Sequence, residues 1–102
     1  MFSMISDNRK DMALTFLAQT DEPCALAQAD YEALNNLKDQ AKGGTAAERS
    51  EAFKDGSYEK HINLLRAAQF EFLKMKNRRM TESLIVECWR SENANRRQAG
   101  IL

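Results

Sequence analysis

Residues 57–97, SYEKHINLLRAAQFEFLKMKNRRMTESLIVECWRSENANRR, decide the fold. The stretch contains no glycine and no proline, so nothing in it obliges a helix to stop. At 1.5 Å per residue, about 40 residues make a helix of roughly 60 Å, longer than a compact domain of 102 residues is wide. The sequence therefore predicts an elongated all-α protein, a single domain over residues 1–102. Residues 57–97 form its long C-terminal helix and residues 1–6 fray.

A heptad register runs along this helix, with Tyr58, Leu65, Phe72 and Val86 at a and Ala68, Met75 and Trp89 at d. His61, Arg79, Glu82 and Asn93 fall on the same seam, which reads as an interrupted one. Two apolar packing zones are expected, separated by a basic waist at Lys74, Lys76, Arg78 and Arg79.

Upstream, Met12, Phe16 and Leu17 recur at helical spacing and predict a short helix over Asp7–Gln19, with Asp7 as N-cap. Thr20-Asp21-Glu22-Pro23 reads as the start of a second helix, because it offers a capping residue, acids for the first turn and proline at an early position. That helix is expected to reach about Lys42 and to pack through Leu26, Ala27, Tyr31, Ala33, Leu34, Leu37 and Ala41, a narrow stripe rich in alanine. Gly43-Gly44 ends it. Thr45-Ala46-Ala47-Glu48 is a complete capping box, predicting a third helix that stops near Lys54, after which Asp55-Gly56 turns the chain and Ser57 caps the long helix. The expected architecture is an antiparallel helical hairpin, the second helix lying along the first half of the long one and a C-terminal arm projecting. Leu84–Trp89 on that arm is apolar and lies beyond the reach of the second helix, so a homo-oligomer is expected to cover it.

Fifteen basic and fifteen acidic residues cancel, but residues 1–65 carry a net −4 and residues 66–102 a net +4. The molecule is electrically bipolar without the overall positive charge of a typical nucleic-acid binder. Cys24 and Cys88 form no C-x-x-C pair and are expected to be reduced. Asp7, Arg9 and Lys10 interrupt the apolar start before a signal-peptide core could form, and no run approaches the length of a membrane span, so a soluble cytoplasmic protein is expected.

The inventory disfavours an enzyme. His61 is the one histidine and has no second histidine or cysteine at metal-ligand spacing, so no metal, no catalytic residue and no cofactor is expected. Gly43-Gly44 lacks the Lys-Ser/Thr of a phosphate loop, and Glu48, Glu51, Glu82 and Glu87 read as capping or solvated charges. Lys74, Lys76, Arg78 and Arg79, extended by Arg90, Arg96 and Arg97, are candidates to neutralise the phosphates of a single strand; a solvated charged face is the plainer account of the same residues. Phe70, Phe72 and Trp89 suit either base stacking or a core.

The A-E-R of the corner at Ala47-Glu48-Arg49, a Tyr opening a long helix, a Lys/Arg-rich middle and the ending W-R-x-x-x-A-N-x-R at Trp89–Arg97 together resemble a group of small phage and prophage helical proteins. That group is in turn distantly similar to the UvsY type of phage recombination mediator. The resemblance spans roughly Asp11–Gln98, and on it Trp89, Arg90, Asn95, Arg96 and Arg97 match the terminal motif. It implies an accessory factor in DNA recombination or replication in a bacterial host, binding single-stranded DNA weakly and a recombinase or other phage or host protein. The alternative is a protein-only adaptor or inhibitor docking a host or phage protein through Leu84, Ile85 and Trp89.

Overall fold

The computed structural model describes residues 4–38, 43–98 and 100, and among them the protein is all α, with no strand. The described residues form three helices: α1 (Asp7–Asn36), α2 (Ala46–Lys54) and α3 (Ser57–Gln98), the last 42 residues long. The chain divides into two compact units. A terminal unit contains Met1–Glu22 and Met75–Leu102, and a central unit contains Pro23–Lys74.

In each unit α1 runs antiparallel to α3. In the terminal unit, Ile5 meets Glu92, Arg9 meets Glu82 and Leu17 meets Arg79. In the central unit, Tyr31 stacks on Phe72 with ring centroids 6.0 Å apart, and Leu34 meets His61.

The two helices expected between Asp7 and Lys42 are one continuous helix with Pro23 inside it. Thr20 does not cap a new start; its hydroxyl donates to the Phe16 carbonyl at 2.7 Å, as in a helix interior. Packing phase explains why the helix continues through a residue that lacks an N–H. Ala13, Leu17 and Thr20 before Pro23, and Cys24, Ala27, Tyr31 and Leu34 after it, keep one 3–4 spacing, and all are buried or half-buried. Tertiary burial on a common seam outweighs the local start signal.

Two further expectations change with it. Residues 75–98 are no projecting arm, because Asp7–Glu22 covers them within the terminal unit. The alanine-rich stripe is also rotated: Leu26 and Leu37 are exposed, as is Ala33, and Cys24, Ala27, Tyr31 and Leu34 face inward. Ala41 and the expected end at Lys42 lie outside the described residues.

On α3 the heptad reading holds, and the polar seam residues do not interrupt it. Tyr58, His61, Leu65, Ala68, Phe72, Met75, Arg79, Glu82, Val86, Trp89, Asn93 and Arg96 are all buried or half-buried. A nitrogen of His61 lies 2.8 Å from the Leu34 carbonyl, and Arg79 donates to the Leu17 carbonyl and the Thr20 hydroxyl, each at 2.7 Å. Of the waist, Arg79 is therefore part of the seam, and Lys74, Lys76 and Arg78 stay exposed outside it.

The caps follow local chemistry with small displacements. Ser6, not Asp7, caps α1, its hydroxyl accepting from the Arg9 N–H at 3.0 Å. The Thr45–Glu48 capping box forms as expected. Gly43 has φ +97°, and a Cβ there would come within 2.8 Å of the Glu48 Cβ, so both the conformation and the close approach require glycine. At the start of α3, Ser57 is the first helical residue and not the cap. Its N–H is accepted by the Asp55 carboxylate at 2.8 Å, and this bond, with a second from the Ser57 hydroxyl, holds the Asp55 carboxyl below its ordinary 3.8.

Candidate interaction site

The terminal unit has two differently lined sides, set by which heptad positions flank the seam. On one side Leu17 of α1 and Arg79, Met80, Ser83, Leu84 and Glu87 of α3 line an open groove of about 340 Å³. Its apolar rim stands out from the helix: Met80 is 57% and Leu84 64% exposed. On the other side Asn8, Met12, Thr15, Phe16, Gln19 and Arg78 line a mixed groove of about 580 Å³, at which Arg9 and Glu82 pair. There the Arg78 guanidinium lies 4.5 Å from the centre of the Phe16 ring, a cation–π contact.

Glu82 is the buried acid of the unit. Arg9 Nη2 donates to its Oε1 at 3.0 Å and lies 2.7 Å from Oε2. Oε2 sits off the N–H axis, so the short approach is electrostatic contact and not a second hydrogen bond. Glu82 thus pairs with Arg9 across the helices, and Arg78, one turn before it, lies over Phe16.

Trp89 and its neighbours were legible as apolar, but their partners were not. The indole N–H donates to the Asp7 carboxylate at 2.8 Å, and Lys10 Nζ lies 4.5 Å from the ring centre. Trp89 is thereby committed to α1, and Ile85 is half-buried, so of the three expected docking residues Leu84 alone is fully outward.

The basic candidates separate in the same way. Arg79 is fastened to Leu17, Thr20 and, at 3.4 Å, Asp21. Half-buried Arg96 sets Nη2 2.9 Å from the Met4 sulfur. Lys76, Arg78, Arg90 and Arg97 are exposed in the terminal unit, Arg90 pairing with Glu87 at 2.9 Å. Lys74, in the central unit, is exposed and pairs with Glu71 at 3.4 Å.

Among the described residues no three His, Cys, Asp or Glu side chains gather where they could hold a metal ion, and no helix is long and apolar enough to cross a membrane. No protein-family model, no curated protein and no solved structure matches the chain.

Proposed function

We infer that this chain acts as a helical docking protein that presents the apolar groove of its terminal unit to another helix. The observation that carries this reading is the pair of large side chains, Met80 and Leu84, one turn apart and more than half exposed beside Leu17. Side chains at i and i+4 over a groove are what an amphipathic helix engages. The expected docking set of Leu84, Ile85 and Trp89 is thereby redrawn as Leu84 with Met80, since Trp89 is spent on α1.

A display selection of randomised amphipathic helical peptides on the immobilised protein tests this. Peptides with apolar residues at i, i+3 and i+4 are expected to emerge, and Leu84→Glu is expected to weaken them by about 50-fold, the cost of losing a buried leucine and placing a carboxylate against apolar surface. Thr15→Glu, exposed at the other groove, should leave them unchanged. Binders indifferent to Leu84→Glu would reject the groove.

One observation favours the mediator-like reading implied by the phage resemblance, namely that Lys76, Arg78, Arg90 and Arg97 are exposed in one unit. On that reading the protein binds single-stranded DNA weakly and offers its apolar groove to a recombinase or other partner. With about four phosphates neutralised and a slope of roughly 0.7 per contact, raising salt from about 50 to about 200 mM is expected to lower affinity about 50-fold. Lys76, Arg78 and Arg90 replaced together by Gln should flatten that dependence, whereas Arg79→Gln should act on stability instead. Absence of binding at low salt would sink this second reading and leave the first untouched.

A further inference from the structure

The docking reading leaves the occupant open, and three observations on the terminal unit point to one. The first is how little the unit buries. Among the described residues those it buries are Ala13, Val86 and the charged Glu82, and no large side chain is fully buried. A single helix pair covers one face of each helix and leaves the outer faces in water. The second is what the unit leaves in water: Met80 and Leu84, on one edge of α3, are 57% and 64% exposed, large apolar side chains that an interface would cover.

The third is the order of side chains along the outward edge of α3: basic Lys76, apolar Met80, apolar Leu84, acidic Glu87. Read against itself in reverse, that order is complementary. With a two-fold axis at the level of residue 82, Met80 of one copy faces Leu84 of the other, and Lys76 faces Glu87 to within one residue. Ser83, small and exposed beside the axis, permits close approach. In the monomer Glu87 holds Arg90 in an exposed i, i+3 pair, with side chains 64% and 65% accessible. Such a pair is worth little and exchanges readily.

We propose that the groove at Leu17, Met80 and Leu84 is occupied by a second copy of this chain, α3 packing antiparallel on α3 about a two-fold axis near residue 82. The proposal rests on the docking reading above and names its partner. It also fits the pattern of isologous interfaces, in which residue i contacts j and j contacts i.

Sedimentation equilibrium of the full chain, with disulfide trapping, tests it. The wild type is expected to be dimeric at tens of micromolar, and Leu84→Glu, which acts twice across the axis, to raise the dissociation constant by about 50-fold or more with unchanged far-UV circular dichroism. In a Cys24→Ser/Cys88→Ser background, Ser83→Cys should cross-link to itself under mild oxidation about 10-fold faster than Thr15→Cys, since a disulfide needs Cα atoms within about 7 Å. Lys76→Glu should weaken the dimer and Lys76→Glu/Glu87→Lys should restore it, a rescue that requires both residues to face the same interface. A monomer at all concentrations, or trapping of Ser83→Cys no faster than of Thr15→Cys, overturns self-pairing. If selected helical peptides still depend on Leu84 in that event, the docking reading survives; if they do not, both fall.

Discussion

Phe72→Ala is expected to destabilise the protein by about 4 kcal/mol, while Phe70→Ala, two residues earlier on the same helix, changes stability by no more than about 0.5 kcal/mol. Phe72 is 9% exposed and stacks on Tyr31 of α1, whereas Phe70 is 63% exposed. Truncating the first removes transfer free energy and leaves a cavity against the opposing ring; truncating the second removes surface already in water. The loss is large relative to what is available. Among the described residues the buried apolar ones are Ala13, Ala52, Leu65, Phe72 and Val86, and Phe72 is the bulkiest of them. A drop of about 4 kcal/mol is most of the stability a small domain commonly has, so the variant should show a much lower urea midpoint or no cooperative transition at all. Equal midpoints for Phe72→Ala and Phe70→Ala would remove Phe72 from the seam and reopen the choice between core and stacking platform for both rings.

That contrast marks where the sequence could be read and where it could not. The heptad period of α3 was legible because it depends on residues three and four apart, and the capping box at Thr45–Glu48 because it closes within four residues. Residues whose partners lie far away in sequence were misjudged. Arg79 looked like part of a solvated waist because its acceptors, the Leu17 carbonyl and the Thr20 hydroxyl, come from another helix. Trp89 looked available for docking because Leu84–Trp89 is expected to lie beyond the reach of the second helix, whereas its hydrogen-bond acceptor, Asp7, comes from the first turn of α1, 82 positions away. Pro23 misled for a different reason. A start signal is local, and the uninterrupted phase from Ala13 through Leu34 that overrides it is recognisable only once the inward face is fixed by Tyr31 against Phe72. Among alanines several rotations bury similar area, which is why Leu26 and Leu37 were placed inside and are outside. At the candidate interaction site, Leu84 was readable as a large apolar residue past the expected end of cover, but Met80, set among charges, was not.

The Arg9–Glu82 pair should show an asymmetry that no reading of charge pattern anticipates. Arg9→Met is expected to cost about 3 kcal/mol, at the low end of the range for breaking a buried pair, and Glu82→Leu about 1 kcal/mol or less. The side chain of Glu82 is 9% accessible and that of Arg9 37%. Removing the arginine strands in the seam a carboxylate whose Oε2 already lacks a hydrogen bond, whereas removing the glutamate leaves a guanidinium that can turn toward water along its own apolar stem. The double variant Arg9→Met/Glu82→Leu should return to within about 1 kcal/mol of the wild type, because two apolar side chains of similar volume need no desolvation offset. A double-mutant cycle by urea denaturation measures the coupling directly. If the two single variants are equally destabilised, or the double is no better than Arg9→Met, the pair is a surface contact and the seam does not pass through Glu82. Arg78 supplies the one route by which Arg9→Met could be mild. It lies one turn before Glu82 and is stacked on Phe16, and if it swung onto the orphaned carboxylate the loss would shrink to about 1 kcal/mol. Adding Arg78→Gln to Arg9→Met would then bring back the full penalty, which separates rescue by a neighbouring cation from a carboxylate that was never buried.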